Sequence, residues 1–436
     1  MNKFHIETLG CMKNEYDSEV LAKLLEDEGY LFTDDLDDAE IIIVNTCGFI
    51  NDAKIESIDK IFDMSRDKKD NSVLVVTGCL SQRYYKTLVD DMPEVDLFIG
   101  VEEYYKLPEL LNNLPKEKYY IEKPKREPLP YNERKLVENP YSATLKIAEG
   151  CNNACAFCII PRIRGPFRSK SIEDIIKEAT MLANAGTKEI ILIAQDVTYY
   201  GMDIYGEFML PKLLTELCKV DKIHWIRLMY CYEERITDEL IEVIAKEDKI
   251  CNYIDIPIQH ISNKVLKSMN RASTSDSIRN TLKRLRDNIE DIHIRTTLLV
   301  GFPGETEEDY EELIDFVEET KFDRLGVFGF SNEENTKAFK MDGHLDDETT
   351  EERVNGIMKC QLDISLEHNQ GMIGNIYEVI VDEKDTDGSY LGRTRYDAPE
   401  IDNSVIFTSK RGLSPGQFVN VEINDAYDYD LVGVEV

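Results

Sequence analysis

The chain is short of positive charge. Its 436 residues carry 51 Lys and Arg against 85 Asp and Glu, a formal net charge of −34, and the acidic excess is spread along the whole length. Nucleic-acid binding is driven by cations that release counterions from phosphates, so an acidic chain needs a strong local basic patch to grip RNA or DNA. A basic protein is attracted without such help, although high net charge also serves solubility alone. Long apolar runs are missing as well. No segment approaches the roughly eighteen consecutive apolar residues of a membrane span, and Met1 to Gly10 has no basic stretch leading into an apolar run. Neither membrane nor export is signalled, and the cytoplasm is the expected location. Thiols stay reduced there, so the ten cysteines are poor candidates for disulfide staples, and any clustered set reads as metal ligation or redox chemistry.

What is present is organised in blocks. The length suits two or three domains. From Lys3 to Gly100 short β-rich runs (FHIET, EIIIVNT, SVLVVTG, DLFIG) alternate with helix-like stretches, the pattern of an open parallel α/β sheet. This defines a first domain over 1–112. The stretch 113–140 is charged and rich in proline and reads as a linker. Six further strand-like runs follow: SATLKIAEG, KEIILIAQD, HWIRLMYC, YIDIPIQH, HIRTTLLVG and RLGVFGF. With helices between them they predict a partial (βα)6 barrel over 141–370, whose functional residues belong at the C-terminal strand ends. Residues 371–436 hold short strands and turn signals, the pattern of a small β-barrel.

Cys151, Cys155 and Cys158 form a CxxxCxxC set directly after SATLKIAEG. Three thiolates on one loop can hold three irons of a 4Fe-4S cluster and leave the fourth iron open to a ligand. A zinc site would call for a second CxxC knuckle, and none lies nearby. Cys11, Cys47 and Cys79 are far apart in sequence, yet each sits just past the end of a predicted parallel strand. That edge of an α/β sheet is where distant residues converge on a ligand, so they read as a second three-thiolate set; buried cysteines beside strands are the competing reading. Cys218, Cys231, Cys251 and Cys360 share no motif and read as core or incidental residues, with Cys231 standing at a strand end.

The CxxxCxxC set, with Phe157 at its aromatic position, resembles that of the radical S-adenosylmethionine (SAM) superfamily. The stretches TLGCMKNEYDSE, NTCGFI, TGCLSQRY, EGCNNACAFCIIPRIRG and GFPGET extend the likeness to the methylthiotransferase family over nearly the whole chain. The resemblance implies two 4Fe-4S clusters and SAM as cofactors, a C-terminal TRAM domain of OB-like barrel form, and transfer of a methylthio group to an unactivated carbon. It also implies a sulfur donor and an electron donor. Phe157 by its backbone, Gln195 at a barrel strand end and Gly301 are the expected SAM contacts, although Gln195 could equally cap a helix and Gly301 shape a turn.

The family has two main branches. One modifies an adenosine of transfer RNA; the other modifies the β-carbon of an aspartate in protein twelve of the small ribosomal subunit. The tail GRTRYDAPEIDNSVIF resembles the second branch, and residues 371–436 hold thirteen acidic and five basic residues, a balance that suits a basic ribosomal protein better than RNA. Nucleic acid is accordingly not expected as the direct substrate. A non-catalytic iron–sulfur carrier would also need clustered cysteines but leaves the barrel and GFPGET without a purpose.

Overall fold

The structure, a computed structural model, describes residues 2–136 and 139–436. The first unit contains β1 (Lys3–Thr8), α1 (Met12–Asp27), β2 (Leu31–Phe32), β3 (Ile41–Thr46), α2 (Asn51–Asp67), β4 (Val73–Gly78), α3 (Cys79–Asp91), β5 (Leu97–Ile99), α4 (Leu107–Asn112) and β6 (Tyr119–Tyr120). Its six strands are all parallel, in the order β2-β1-β3-β4-β5-β6. β3 is buried along its whole length, as a central parallel strand covered on both faces must be. The segment expected as a linker therefore contributes an edge strand to this sheet through Tyr119 and Tyr120.

The second unit contains β7 (Ser142–Lys146), β8 (Ala148–Glu149), α5 (Ile160–Ile163), β9 (Arg168–Ser169), α6 (Ile172–Ala185), β10 (Glu189–Ile193), α7 (Leu210–Cys218), β11 (Trp225–Leu228), α8 (Asp238–Lys246) and β12 (Ile250–Asp255). It continues through α9 (Asn263–Ser268), α10 (Ser275–Asn288), β13 (His293–Val300), α11 (Glu307–Thr320), β14 (Arg324–Gly329) and α12 (Asp347–Gly371). Strands β14-β13-β12-β11-β10-β7 form one parallel sheet in sequential order, the partial barrel expected from the six βα repeats. Its helices bury one apolar face against the sheet; Ile190, Leu192, Ile226 and Leu228 join Leu182, Leu213 and Leu240 in the largest core cluster. The last unit is a closed five-stranded barrel of β15 (Ile376–Lys384), β16 (Tyr390–Thr394), β17 (Ser404–Thr408), β18 (Phe418–Ala426) and β19 (Asp430–Glu435).

The opposite face of the six-stranded sheet is where the units meet. Met12, Tyr16 and Val20 of α1 share an apolar cluster with Ile191, Ile193, Trp225 and Tyr253 of the sheet and with Ile380 and Ala398 of the last unit. The first unit is fastened at both edges of the open sheet: α1 packs on β7, while Lys54 and Arg83 reach Glu333, beyond β14, at 3.0 and 2.6 Å. It thereby bridges the gap between the edge strands.

The small barrel docks at the N-terminal ends of the strands through buried charges. Asp397 accepts from Arg324 Nε at 3.0 Å and from Thr394 Oγ1 at 2.6 Å. Asp402 accepts from Tyr253 at 2.7 Å and faces Arg295 at 3.3 Å, and Arg393 meets Glu189 at 2.9 Å. Asp397 and Asp402 of DAPEID are thus internal ties rather than a surface for a partner, while Glu400 between them is exposed. Removing one member of such a buried pair strands the other charge and costs about 3–5 kcal/mol. Asp397→Ala is expected to lower the thermal transition markedly, while Asp425→Ala, on the exposed face of β18, leaves it in place; equal transitions in calorimetry would contradict the docking role.

Candidate active site

The CxxxCxxC loop begins where β8 ends. Cys151 and Cys155 are buried and Cys158 is partly so. The loop is pinned by backbone hydrogen bonds: Cys151 N–H donates to Gly165 O at 3.1 Å, Ala156 N–H to Met269 O at 2.8 Å, and Ala338 N–H to Ala156 O at 2.9 Å. Asn153 N–H lies 3.4 Å from Cys151 Sγ. Burial pushes the Cys151 thiol up to about 11 and raises that of Cys158. In the absence of metal these thiols hold their protons at neutral pH, so loading iron must displace them.

Cys11, Cys47 and Cys79 also come together. Cys11 precedes α1, Cys47 follows β3, and Cys79 opens α3, all at the C-terminal edge of the first sheet. Packing around them is too tight for extra side chains. A Cβ on Gly10 would fall 2.8 Å from Cys47 Cβ, and one on Gly48 would fall 2.6 Å from the backbone nitrogen of Leu80, next to Cys79. Burial pushes the Cys47 thiol up to about 11, with Cys79 and Cys11 adding to it; burial also raises Cys79, against the pull of Arg164. Among the described residues no group of three His, Cys, Asp or Glu side chains is placed to hold a single metal ion. A four-iron cluster takes its three thiolates on three separate irons and so asks for wider spacing than one ion does.

The segment around α5 touches both thiol sets, with Cys151 N–H bonded to Gly165 O and the Arg164 side chain beside Cys79. Cys79 packs with Ile159 and Ile163, which directly follow the CxxxCxxC loop. Arg164 lies between the sets, buried, and donates to Asp17 Oδ2 at 2.8 Å, Glu149 Oε2 at 3.0 Å and Asn14 Oδ1 at 2.7 Å, with Cys79 Sγ at 3.7 Å. Lys146 completes the group through Asp17 at 2.5 Å and Glu149 at 2.9 Å. Two cations thus balance two anions in a buried network, the condition under which buried charge is tolerable. Burial drives the Glu149 carboxyl upward, but Arg164 and Lys146 overcome this and hold it below the usual carboxylate range. Asn14 in turn donates to Leu9 O at 2.7 Å and Thr46 O at 3.2 Å, so it ties the loops that carry Cys11 and Cys47.

Of the three expected SAM contacts, Gln195 touches this centre. Gln195, just past β10, donates from Nε2 to Glu149 Oε1 at 2.7 Å, and its Oε1 is buried without a partner. Phe157 is partly buried against the apolar cluster that contains Val265, Met269 and Phe302. Gly301 has φ +77°, and a Cβ there would fall 2.6 Å from Thr350 Oγ1 of α12, so packing alone already demands glycine. Glu305 of GFPGET binds Arg353 of α12 at 2.5 Å and acts as a brace. Cys231 and Cys251 are buried in apolar clusters, and Cys218 and Cys360 pack at the edge of the main core.

Comparison with known proteins finds matches along nearly the whole chain. Residues 3–100 match the uncharacterized protein family UPF0004, 145–317 the radical SAM superfamily and 373–436 the TRAM domain. The ribosomal protein uS12 methylthiotransferase RimO of Clostridioides difficile (strain 630) is 48% identical, covering 99% of this chain and 98% of that protein. RimO of Thermoanaerobacter sp. (strain X514) is 47% identical over 99% of this chain and 100% of its own length. The chain belongs to the RimO family of radical SAM methylthiotransferases. That family uses SAM and two 4Fe-4S clusters. Among solved structures, the radical SAM methyltransferase TsrM from Kitasatospora setae superposes with a TM-score of 0.55 at 14% identity, covering 75% of this chain and 73% of that one, a likeness of fold alone. No helix among the described residues is long and apolar enough to cross a membrane.

Proposed function

We propose that the chain attaches a methylthio group to the β-carbon of an aspartate in ribosomal protein uS12, in the cytoplasm, with sulfur and electrons supplied by separate donors. The observation that carries the reading is 48% identity to a RimO over the whole chain, supported by a buried polar centre in which Arg164, close after the CxxxCxxC loop, reaches Cys79 of the first unit. Cys151, Cys155 and Cys158 would hold the cluster that, with SAM, supplies radical chemistry, and Cys11, Cys47 and Cys79 the cluster beside which methylated sulfur is delivered. The three thiols on one pinned loop, two buried and one partly so, fit the first group, and the glycine-lined cradle of Cys11, Cys47 and Cys79 fits the second.

The chain's own contribution is position. Arg164, Asp17, Glu149 and Lys146 lock the first unit onto the radical domain, which sets the distance between the two triplets. Gln195, with a buried oxygen free beside Glu149, would accept from the SAM ammonium, and the backbone at Phe157 and at Gly301, just past β13, would supply the other contacts. The acidic surface attracts a basic protein and repels RNA phosphates. Offering uS12 and transfer RNA together to the reconstituted enzyme, followed by mass spectrometry of both, tests the substrate. Modification of uS12 alone is expected; methylthiolated transfer RNA with untouched uS12 would overturn the reading.

A further inference from the structure

Lys13 is a buried cation with no anion. It stands two residues after Cys11, on the first turn of α1, and is 8% exposed. Among the described residues it forms no ion pair; its ammonium sits 3.3 Å from the centroid of the Tyr230 ring. The carboxylates of this region are already taken. Asp17 and Glu149 serve Lys146 and Arg164, and Asp255 accepts from Arg295 at 3.0 Å and from the Tyr230 N–H at 2.9 Å. An aromatic face compensates a buried ammonium only in part, so the site favours an incoming negative charge.

The surroundings say where that charge would come from. Tyr230 follows β11 at the C-terminal edge of the barrel sheet and has φ +60°, a left-handed backbone that costs energy in a bulky residue and is held by the bond to Asp255. The strained tyrosine therefore presents its ring to Lys13 at the end of the sheet where barrel enzymes bind their substrates. The N-terminus of α1, with Cys11 as its first cap, adds its partial positive charge on the same side.

We propose that Lys13 binds the side-chain carboxylate of the target aspartate and holds its β-carbon beside the Cys11, Cys47 and Cys79 site. This rests on the reading of the substrate as an aspartate-bearing protein and deepens it: the lysine selects a carboxylate, which an adenosine substrate lacks. Lys13 is then a substrate-binding residue, while Tyr230 positions it.

The test compares uS12 with a uS12 variant carrying asparagine at the target position, in enzyme reconstituted with iron and sulfide. The unaltered enzyme is expected to favour aspartate. Lys13→Met, with full iron content, is expected to lose about thirtyfold or more of that preference in kcat/KM, and Lys13→Arg to retain most of it. An undiminished preference in Lys13→Met would overturn the proposal, and so would loss of the iron held by the first triplet, since Lys13 would then be a prop for the cluster. If Lys13→Met does not fold, equilibrium binding of the two uS12 forms to the unaltered enzyme decides: tighter binding of the aspartate form supports the proposal, and equal binding overturns it. Failure of the unaltered enzyme to modify uS12 at all would instead count against the substrate reading.

Discussion

Replacing Cys11, Cys47 and Cys79 together by alanine is expected to remove about half of the iron that the protein takes up, leave reductive cleavage of SAM intact and abolish methylthio transfer. The split follows from the geometry. The three thiols close one cradle on the first sheet, and the CxxxCxxC loop is pinned independently by Gly165, Met269 and Ala338. Iron analysis after anaerobic reconstitution, with quantification of 5′-deoxyadenosine, reads both halves. Full iron content in the triple variant would show that these cysteines hold no cluster.

Cys155→Ala is expected to have the converse effect. The loop is left with Cys151 and Cys158, too few protein ligands for the radical cluster, so 5′-deoxyadenosine formation should stop while the iron at the first triplet remains. Transfer of a methyl group from SAM to sulfur at the first triplet is polar chemistry and can persist in this variant. Continued formation of 5′-deoxyadenosine would contradict the assignment of the loop.

The sequence made the frame legible because its signals are local. A buried parallel strand carries a continuous apolar run, as IIIV does within EIIIVNT, and a cysteine directly after such a strand lies at the sheet edge, which is how Cys11, Cys47 and Cys79 group together from the sequence. The chemistry between the triplets was not legible. Arg164, Lys146 and Asp17 look like solvated charges in the sequence, and only the docking of α1 against β7 shows that they neutralise one another in the interior. The ties of Asp397 and Asp402 were not legible for the same reason: they count among the tail's thirteen acids, yet their arginines, Arg324 and Arg295, lie in another unit. The edge strand at Tyr119 and Tyr120 is only two residues long, too short for a period-two pattern to stand out among prolines. Gly10, Gly48 and Gly78 each adjoin one of the three cysteines, and a Cβ would collide at each, with the Cys47 side chain at Gly10 and with neighbouring strand or helix atoms at Gly48 and Gly78.

The central claim is that one enzyme brings a radical centre and a sulfur-delivering centre to the same aspartate. It is tested most directly with uS12 whose aspartates carry deuterium at the β-carbon, incubated with the reconstituted enzyme, SAM, sulfide and a reductant. Mass spectrometry of both products should find one methylthio group on a single aspartate and deuterium in the 5′-deoxyadenosine. Modified uS12 with no deuterium in 5′-deoxyadenosine, or 5′-deoxyadenosine formed while uS12 stays unmodified, would contradict the account.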